Sequence, residues 1–583
     1  MKLSRIRYAI LLSMWFLGIA LILSYINAIR CFEGGLYPEA IFWLGAILFS
    51  SSLACLWRYS KNHSYLVILI FASAFIVASI PFLRFHYHGS DLVDEYFVAQ
   101  TTRDLGYWPI ERFRPYTIAQ PGRPIETDNI SHQYFGCLSV TILPSMLSLV
   151  TGLTVLNIFN IMVPIASVLT VIGAFLVVRK SFGERIAIFA SIVFFCHFIF
   201  GMFQELLRQD VALFFFFLTW YLLLKADRKF TFLAFITTFA MATAHYTLIY
   251  FVILWAFIML ISKRIHFRFT RRGLFDFKST LRDQRWIFSN KSLLCIVAIS
   301  LAWLLFVMPS MFSSNVISTK VAFQAMLGYA PYQYSSQTAH VIFSSLGLLH
   351  SVVKWIIAGL TIIGFLIALK VSRGRSAYAF TFWGGSTLLL TLMWVLIPNI
   401  NLALNPDRIY CIGLLAFSLF IALSIASFEG KTKSWGMIFS TLIVVIMFVD
   451  SIGYPIYYTP ASKLSSDTLQ TFTPEYKICD FTFATWIQNH VNNNKLIAAD
   501  DLGCRISIGF AQHICLVSWL NSTNVVLLTK SVGAEYFIIT KFVDGYYIKL
   551  GPRGFFADPN DLGQFNRMYD NGRNSLLFLS LDN

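Results

Sequence analysis

Residues 64–97 read SYLVILIFASAFIVASIPFLRFHYHGSDLVDEYF. The first part of this stretch is almost wholly apolar. It is long enough for a helix to cross a hydrocarbon core of about 30 Å at 1.5 Å per residue. The run then stops, and His86, His88, Asp91, Asp94 and Glu95 follow within residues 86–97. Ionisable groups at a membrane boundary are costly unless they are paired or used. A membrane span that ends in a dense acidic cluster therefore sets both the fold class and the first place to look for chemistry.

The same apolar pattern recurs along the chain. Stretches near 8–28, 38–57, 64–83, 155–178, 186–202, 211–225, 231–244, 246–261, 292–312, 352–370, 379–397, 408–427 and 436–452 each read as a helical span. Composition agrees: the 583 residues are 57% hydrophobic and 13% charged, with mean hydropathy +0.67. Soluble domains carry about 25% charged residues. An ordinary soluble protein, a disordered chain and a fibrous repeat are excluded. The expected class is an all-α polytopic membrane protein with about 13 transmembrane helices.

The formal charge is +16. In a soluble chain that would suggest nucleic acid. Here the loops account for it, because cytoplasmic loops collect Lys and Arg. MKLSRIR at the start, RYSKNH, VRKSFGER, ADRK, SRGR and GKTK all fall on one side when the spans alternate. Residues 263–291 fit best, with nine basic side chains against Asp276 and Asp283, a net of +7. The expected setting is the plasma membrane, with a cytoplasmic N-terminus, a retained first apolar segment and no nucleic-acid partner. Residues 136–150 are apolar but contain Pro144, Ser139, Thr141 and Ser145. Counting them as a span would invert every later loop, so they read as a helix at the outer membrane surface.

This gives three regions. Residues 1–63 form an N-terminal helical hairpin. Residues 64–452 form the transmembrane core, with an external loop at 85–135. Residues 453–583 form a small extracytoplasmic α/β domain, where EYFIITKFVDGYYIKL reads as a β-hairpin turning at Asp544-Gly545.

Four clusters lie at outer span ends. In the first, Asp91 and Glu95 share a face if the stretch is helical, with Asp94 beside them. Such close carboxylates suit a general base or a divalent-metal site, and equally a polar helix N-terminus leaving the membrane. The second is QELLRQD, with Glu205, Arg208 and Asp210. Arg208 suits a phosphate through its paired donors, or an ion pair that closes the turn. The third is ATAHYTLIYF, with His245 and Tyr246. The fourth is NLALNPDRIY, where Asp407 suits a helix start and Arg408 implies an anionic partner. No Gly-rich phosphate loop is present, so no nucleotide cofactor is expected.

The order of these motifs resembles the GT-C superfamily of glycosyltransferases. SDLVDEYFVAQTTRDLGYW, residues 90–108, looks like the acidic first-loop pattern of dolichyl-phosphate-mannose and aminoarabinose transferases, down to its Gly106-Tyr107-Trp108 ending. The set HGSD…EY, RQDVALFF, the His245-Tyr246 pair and DRIY is similar to a mainly archaeal, uncharacterised multi-pass family related to GT-C. It spans roughly residues 64–460. WWDYG, the mark of the oligosaccharyltransferase catalytic subunit, is absent from the sequence. The resemblance implies a membrane glycosyltransferase using a polyprenyl-phosphate sugar donor and a protein, glycan or lipid acceptor on the extracytoplasmic face. It implies that Asp94 or Glu95, with Asp91 adjacent, acts as base. Arg208, His245 and Arg408 would then hold the donor phosphate, with Glu205, Asp210, His88 and Tyr246 in support. A divalent cation, Mg or Mn, would sit on Asp91, Asp94 and Glu95 where a metal is used. A flippase for lipid-linked saccharides would place its charges nearer the bilayer midplane, and a non-catalytic scaffold would leave these residues dispersed.

The charge pattern makes a direct prediction. A single cysteine placed within 263–291 of a cysteine-free variant is expected to react with a membrane-impermeant maleimide only from the cytoplasmic side. Labelling from outside would reverse the topology.

Overall fold

The computed structural model describes residues 2–31, 39–59, 63–84, 87–88, 90–109, 116–118, 126–128, 134–197, 200, 207–225, 227–245, 248–257, 260, 290–307, 348–372, 375–396, 406–431, 433–457, 475–476 and 478–491. It also describes strand residues 497–499, 515–517, 536–542, 545–550, 553–556, 566–570 and 574–578. For His88, Asp91, Asp94 and Arg408 the description is of the backbone only.

In chain order the helices begin α1 (Lys2–Cys31), α2 (Glu39–Tyr59), α3 (His63–Arg84), α4 (Ser90–Leu105), α5 (Ile142–Thr151), α6 (Val155–Phe182), α7 (Glu184–Cys196), α8 (Leu207–Leu224) and α9 (Arg228–Ala244). They continue as α10 (Leu248–Phe257), α11 (Asn290–Phe306), α12 (Leu348–Val371), α13 (Arg375–Leu396), α14 (Pro406–Lys431), α15 (Lys433–Tyr457) and α16 (Ile478–His490). Each apolar stretch picked out above carries one of these helices. Among the described residues, Ile6–Tyr25, Ile41–Tyr59, Val155–Phe182 and Leu207–Leu224 are long and apolar enough to cross a membrane.

The chain divides into two compact units. The first comprises Met1–Ile80, Val163–Gln204 and Arg208–Tyr454. Its α14 is apolar on all sides, and Leu414, Phe417, Phe420, Ile421 and Ile425 are all buried, as expected of a helix with no polar face. It packs against α7, α12 and α13. Lipid tails are as apolar as Leu, so close backbone approach between small residues does much of the work of holding such helices together. Gly364 of α12 lies directly on the Phe420 carbonyl of α14. At the α1–α2 crossing, a Cβ on Gly18 would come within 2.8 Å of the Gly45 carbonyl oxygen. Trp15 of α1 donates its indole N–H to Ser73 Oγ of α3 at 3.0 Å.

Helix α8 has neighbours on several sides. Phe217 meets Phe194 of α7, Thr219 shares a hydrogen bond of 2.7 Å with Thr237 of α9, and Trp220 packs on Trp255 of α10 and Trp383 of α13. The outward faces stay apolar, with Phe16, Ile68, Phe232, Trp355 and Leu366 exposed. Apolar surface on this scale, spread over many helices, suits lipid as the solvent.

The second unit comprises Pro81–Met162, Glu205–Leu207 and Pro455–Asn583. Its strands are β1 (Tyr87–His88), β2 (Tyr116–Ile118), β3 (Glu126–Asp128), β4 (Glu475–Tyr476), β5 (Ile497–Ala499), β6 (Cys515–Val517), β7 (Tyr536–Phe542), β8 (Gly545–Leu550), β9 (Arg553–Phe556), β10 (Asn566–Asp570) and β11 (Asn574–Phe578). A mixed sheet runs β10-β11-β7-β5-β6. One edge of β7 holds β11 antiparallel. The other edge is shared by β5, parallel at 536–538, and β8, antiparallel at 540–542. Phe542 pairs with Gly545, the first residue of β8, so β7 and β8 pair as the expected hairpin; residues 543–544 lie outside the described residues. β1 pairs antiparallel with β4, setting the His88 backbone opposite Glu475.

Gly364→Ala is expected to destabilise the protein by about 1–3 kcal/mol, the cost of overpacking, read as a lower detergent melting temperature. Gly359, on the same helix, faces open space. Gly359→Ala should be neutral or stabilising by up to about 1 kcal/mol.

Candidate functional site

Helix α4 begins at Ser90, so Asp91, Asp94 and Glu95 fall in its first turns. Negative charge there is favoured by the exposed N–H groups and the helix dipole. Leu92, Glu95, Val98, Ala99 and Thr102 are buried and recur at helical spacing. Glu95 therefore lies on the inward stripe of α4, and its relative exposure is 0%.

Glu95 Oε2 accepts the backbone N–H of Leu207 at 3.1 Å. Leu207 is the first residue of α8, where backbone donors have no partner within the helix. A carboxylate in that position caps the helix. The side chains of Asp91 and Asp94 lie outside the described residues, as do Glu205 and Tyr246 entirely. Among the described residues, no three His, Cys, Asp or Glu side chains come together as a metal site, and Glu95 commits one oxygen to the Leu207 amide. The described carboxylate thus fits helix capping.

The end of α4 explains the Gly106-Tyr107-Trp108 ending physically. Gly106 has φ +72°, the left-handed region that favours glycine at a helix C-terminus. Trp108 donates its indole N–H to the Phe135 carbonyl at 2.7 Å, fastening the following loop. Tyr96 stands edge-on to Phe159. Burial, reinforced by the Asp104 carboxylate and opposed by Arg103, raises its phenol pKa to about 12.

Helix α5 packs on α4. Ser145 Oγ is 2.7 Å from the Ala99 carbonyl and 2.6 Å from the Thr141 carbonyl, and its single proton serves both. Pro144, Ser145 and Ser148 are buried, whereas Leu143, Met146, Leu149 and Val150 are exposed, Val150 to 82%. The helix starts at Ile142, six residues later than the apolar stretch, because residues 136–141 form turns. Its small residues face protein and its large apolar residues face away, the reverse of a helix on a soluble protein.

In the first unit, Arg208 and Asp210 occupy the first turn of α8 and are 1% and 0% exposed. Asp210 Oδ2 accepts a short hydrogen bond from Ser167 Oγ of α6. Thr170 Oγ1 lies 2.9 Å from the Asp210 carbonyl. His245 ends α9 and is buried. Its Nδ1 accepts the Leu248 N–H at 3.3 Å. An accepting Nδ1 has no proton, so the ring is neutral with its proton on Nε2. His197, which the motif reading passes over, ends α7 and is also buried; its signal in the sequence is a lone histidine at the end of an apolar run. Ser167 and Thr170 were equally hidden, and their signal is a pair of hydroxyls three residues apart inside a span. Arg408 sits in the first turn of α14.

No family model and no curated protein matches the chain. Solved structures do. An oligosaccharyltransferase from Archaeoglobus fulgidus, in complex with Zn and sulfate, is 12% identical, covering 80% of this chain and 67% of its own, with TM-score 0.46. ArnT from Cupriavidus metallidurans, bound to undecaprenyl phosphate, is 10% identical over 88% of this chain and 98% of its own, with TM-score 0.45. The arabinofuranosyltransferase AftD from Mycobacteria is 9% identical over 90% of this chain and 40% of its own, with TM-score 0.46. At these identities and scores the likeness assigns no residue and no substrate.

Tyr96 should keep its proton after exposed tyrosines have lost theirs. Its folded pKa lies above the unfolded value, so its contribution to stability is complete below pH 10 and is lost as pH rises through about 12. The phenolate absorbance of wild type minus Tyr96→Phe should rise near pH 12; a midpoint near 10 would contradict its burial.

Proposed function

We propose that this chain is a membrane glycosyltransferase that moves a sugar from a polyprenyl-phosphate donor to an acceptor hydroxyl or amide on the extracytoplasmic face. One hydrogen bond carries the reading. Glu95 of the first-loop helix holds the Leu207 amide, and Leu207 immediately precedes Arg208 in the chain. The acidic motif therefore contacts the residue that leads directly into RQDVALFF in the chain.

The chemistry divides among the residues as follows. A polyprenyl-phosphate sugar carries its own leaving group, the lipid phosphate, which stays anchored in the bilayer by its chain. Arg208 stays ionised at any working pH and presents a planar fork of donors suited to phosphate. His245, protonated on Nε2, supplies a further donor, and Arg408 a further cation. Glu95, committed to the α8 amide, is a positioning group. The base is Asp94, with Asp91 adjacent. It takes the acceptor proton as the acceptor atom attacks the anomeric carbon. The sugar–phosphate bond breaks with its electron pair passing to the phosphate, whose growing charge the basic groups stabilise. Single displacement inverts the anomeric configuration.

The exposed apolar face of α5 supports seating beside the outer leaflet. The 453–583 region, on the extracytoplasmic side, contributes to acceptor recognition.

Purified protein in nanodiscs should transfer radiolabel from a polyprenyl-phosphate sugar. Asp94→Asn should cut the rate by about 10²–10⁴-fold with melting unchanged. Glu95→Gln keeps an acceptor for the Leu207 amide and should retain most activity, whereas Glu95→Ala should lower melting. Full activity of Asp94→Asn, or no transfer from mannosyl, glucosyl, aminoarabinosyl and arabinofuranosyl donors, would reject the proposal.

A further inference from the structure

A carboxylate inside a membrane bundle needs donors of its own, because no water is there to supply them. Asp210 is fully buried. Its side chain accepts a hydrogen bond from the Ser167 hydroxyl. Its main-chain carbonyl lies 2.9 Å from Thr170 Oγ1, whose single proton is shared with the Ala166 carbonyl at 3.0 Å. Both hydroxyls come from α6 and stand three residues apart, so they share one face.

The same face continues at Gly173, where an added Cβ would come within 3.0 Å of Phe217 Cβ and 3.5 Å of the Phe214 carbonyl of α8. Residues 167, 170 and 173 of α6 thus run along residues 210, 214 and 217 of α8. Close packing prevents the helices from separating, and the polar contacts fix their register. A slip of one turn, about 5.4 Å, would break both polar contacts.

We infer that Ser167 and Thr170, acting through Asp210, are positioning residues that set the azimuth of the first turn of α8 and so aim Arg208. Arg208 lies two residues before Asp210, about 200° around the helix axis. Holding Asp210 against α6 turns Arg208 away from α6. As a role in phosphate binding, this rests on the function proposed above.

The test uses full-length protein in phosphatidylcholine nanodiscs, with a polyprenyl monophosphate as probe. Amide hydrogen exchange over residues 207–212 is measured alongside. Ser167→Ala should weaken probe binding by about tenfold and speed exchange in that turn, the expected scale for losing one hydrogen bond to a charged group. Ser167→Thr, which keeps the hydroxyl, should restore both. Asp210→Ala, which removes the acceptor, should reproduce both losses.

Unchanged affinity and exchange in folded Ser167→Ala would overturn the inference. Faster exchange with unchanged affinity would also overturn it, reducing the contact to a brace. Equal losses in Asp210→Asn and Asp210→Ala with a silent Ser167→Ala would show that charge acts rather than position. If wild type binds no probe, the donor reading fails. Exchange alone then decides: faster exchange in both Ser167→Ala and Thr170→Val supports positioning of the turn, and unchanged exchange overturns it.

Discussion

A polar group removed from water has to find its partners within the protein. Much of this structure follows from that constraint. Glu95 and Asp210 are both fully buried carboxylates. Glu95 takes a backbone amide from the start of a helix, and Asp210 takes a hydroxyl from a neighbouring helix. Desolvation of an ionised carboxylate costs several kcal/mol even after relaxation. Each contact therefore helps to fix a geometry. His245 meets the same demand by accepting the Leu248 amide where α9 gives way to α10.

Apolar packing sets the limits within which those contacts form. Helices in lipid gain little from hydrophobic burial against one another, so small residues and close approach carry the association. Gly18 against Gly45 and Gly364 against Phe420 are contacts of this kind. The large aromatic residues fill the space left over, as where Trp220 meets Trp255 and Trp383. Helix α5 shows the same logic in reverse: Ser145 and Ser148 face protein and Leu149 and Val150 do not.

The sequence was informative where one physical variable decides the outcome. Runs of apolar residues could only be helices once water was removed, since a helix satisfies its own backbone. The helical reading of the acidic stretch also matches α4. The reading was weaker where several residues of one type compete. Asp91, Asp94 and Glu95 are chemically alike in the sequence; among the described side chains, Glu95 is buried in line with Leu92, Val98, Ala99 and Thr102. Ser167 and Thr170 looked like ordinary hydroxyls in a span, which usually bond to their own helix. Nothing local announces that they reach Asp210, 43 and 40 positions away.

By itself, then, the sequence determined a helical membrane chain and the short list of ionisable residues at the ends of its apolar runs. Composition, period and charge are local properties, and these conclusions need nothing else. Only the tertiary structure decided which carboxylate caps a helix, which helix faces stay exposed and which hydroxyls meet α8. Those outcomes depend on contacts between residues far apart in the chain, where the packing of one helix determines whether another's polar group is satisfied.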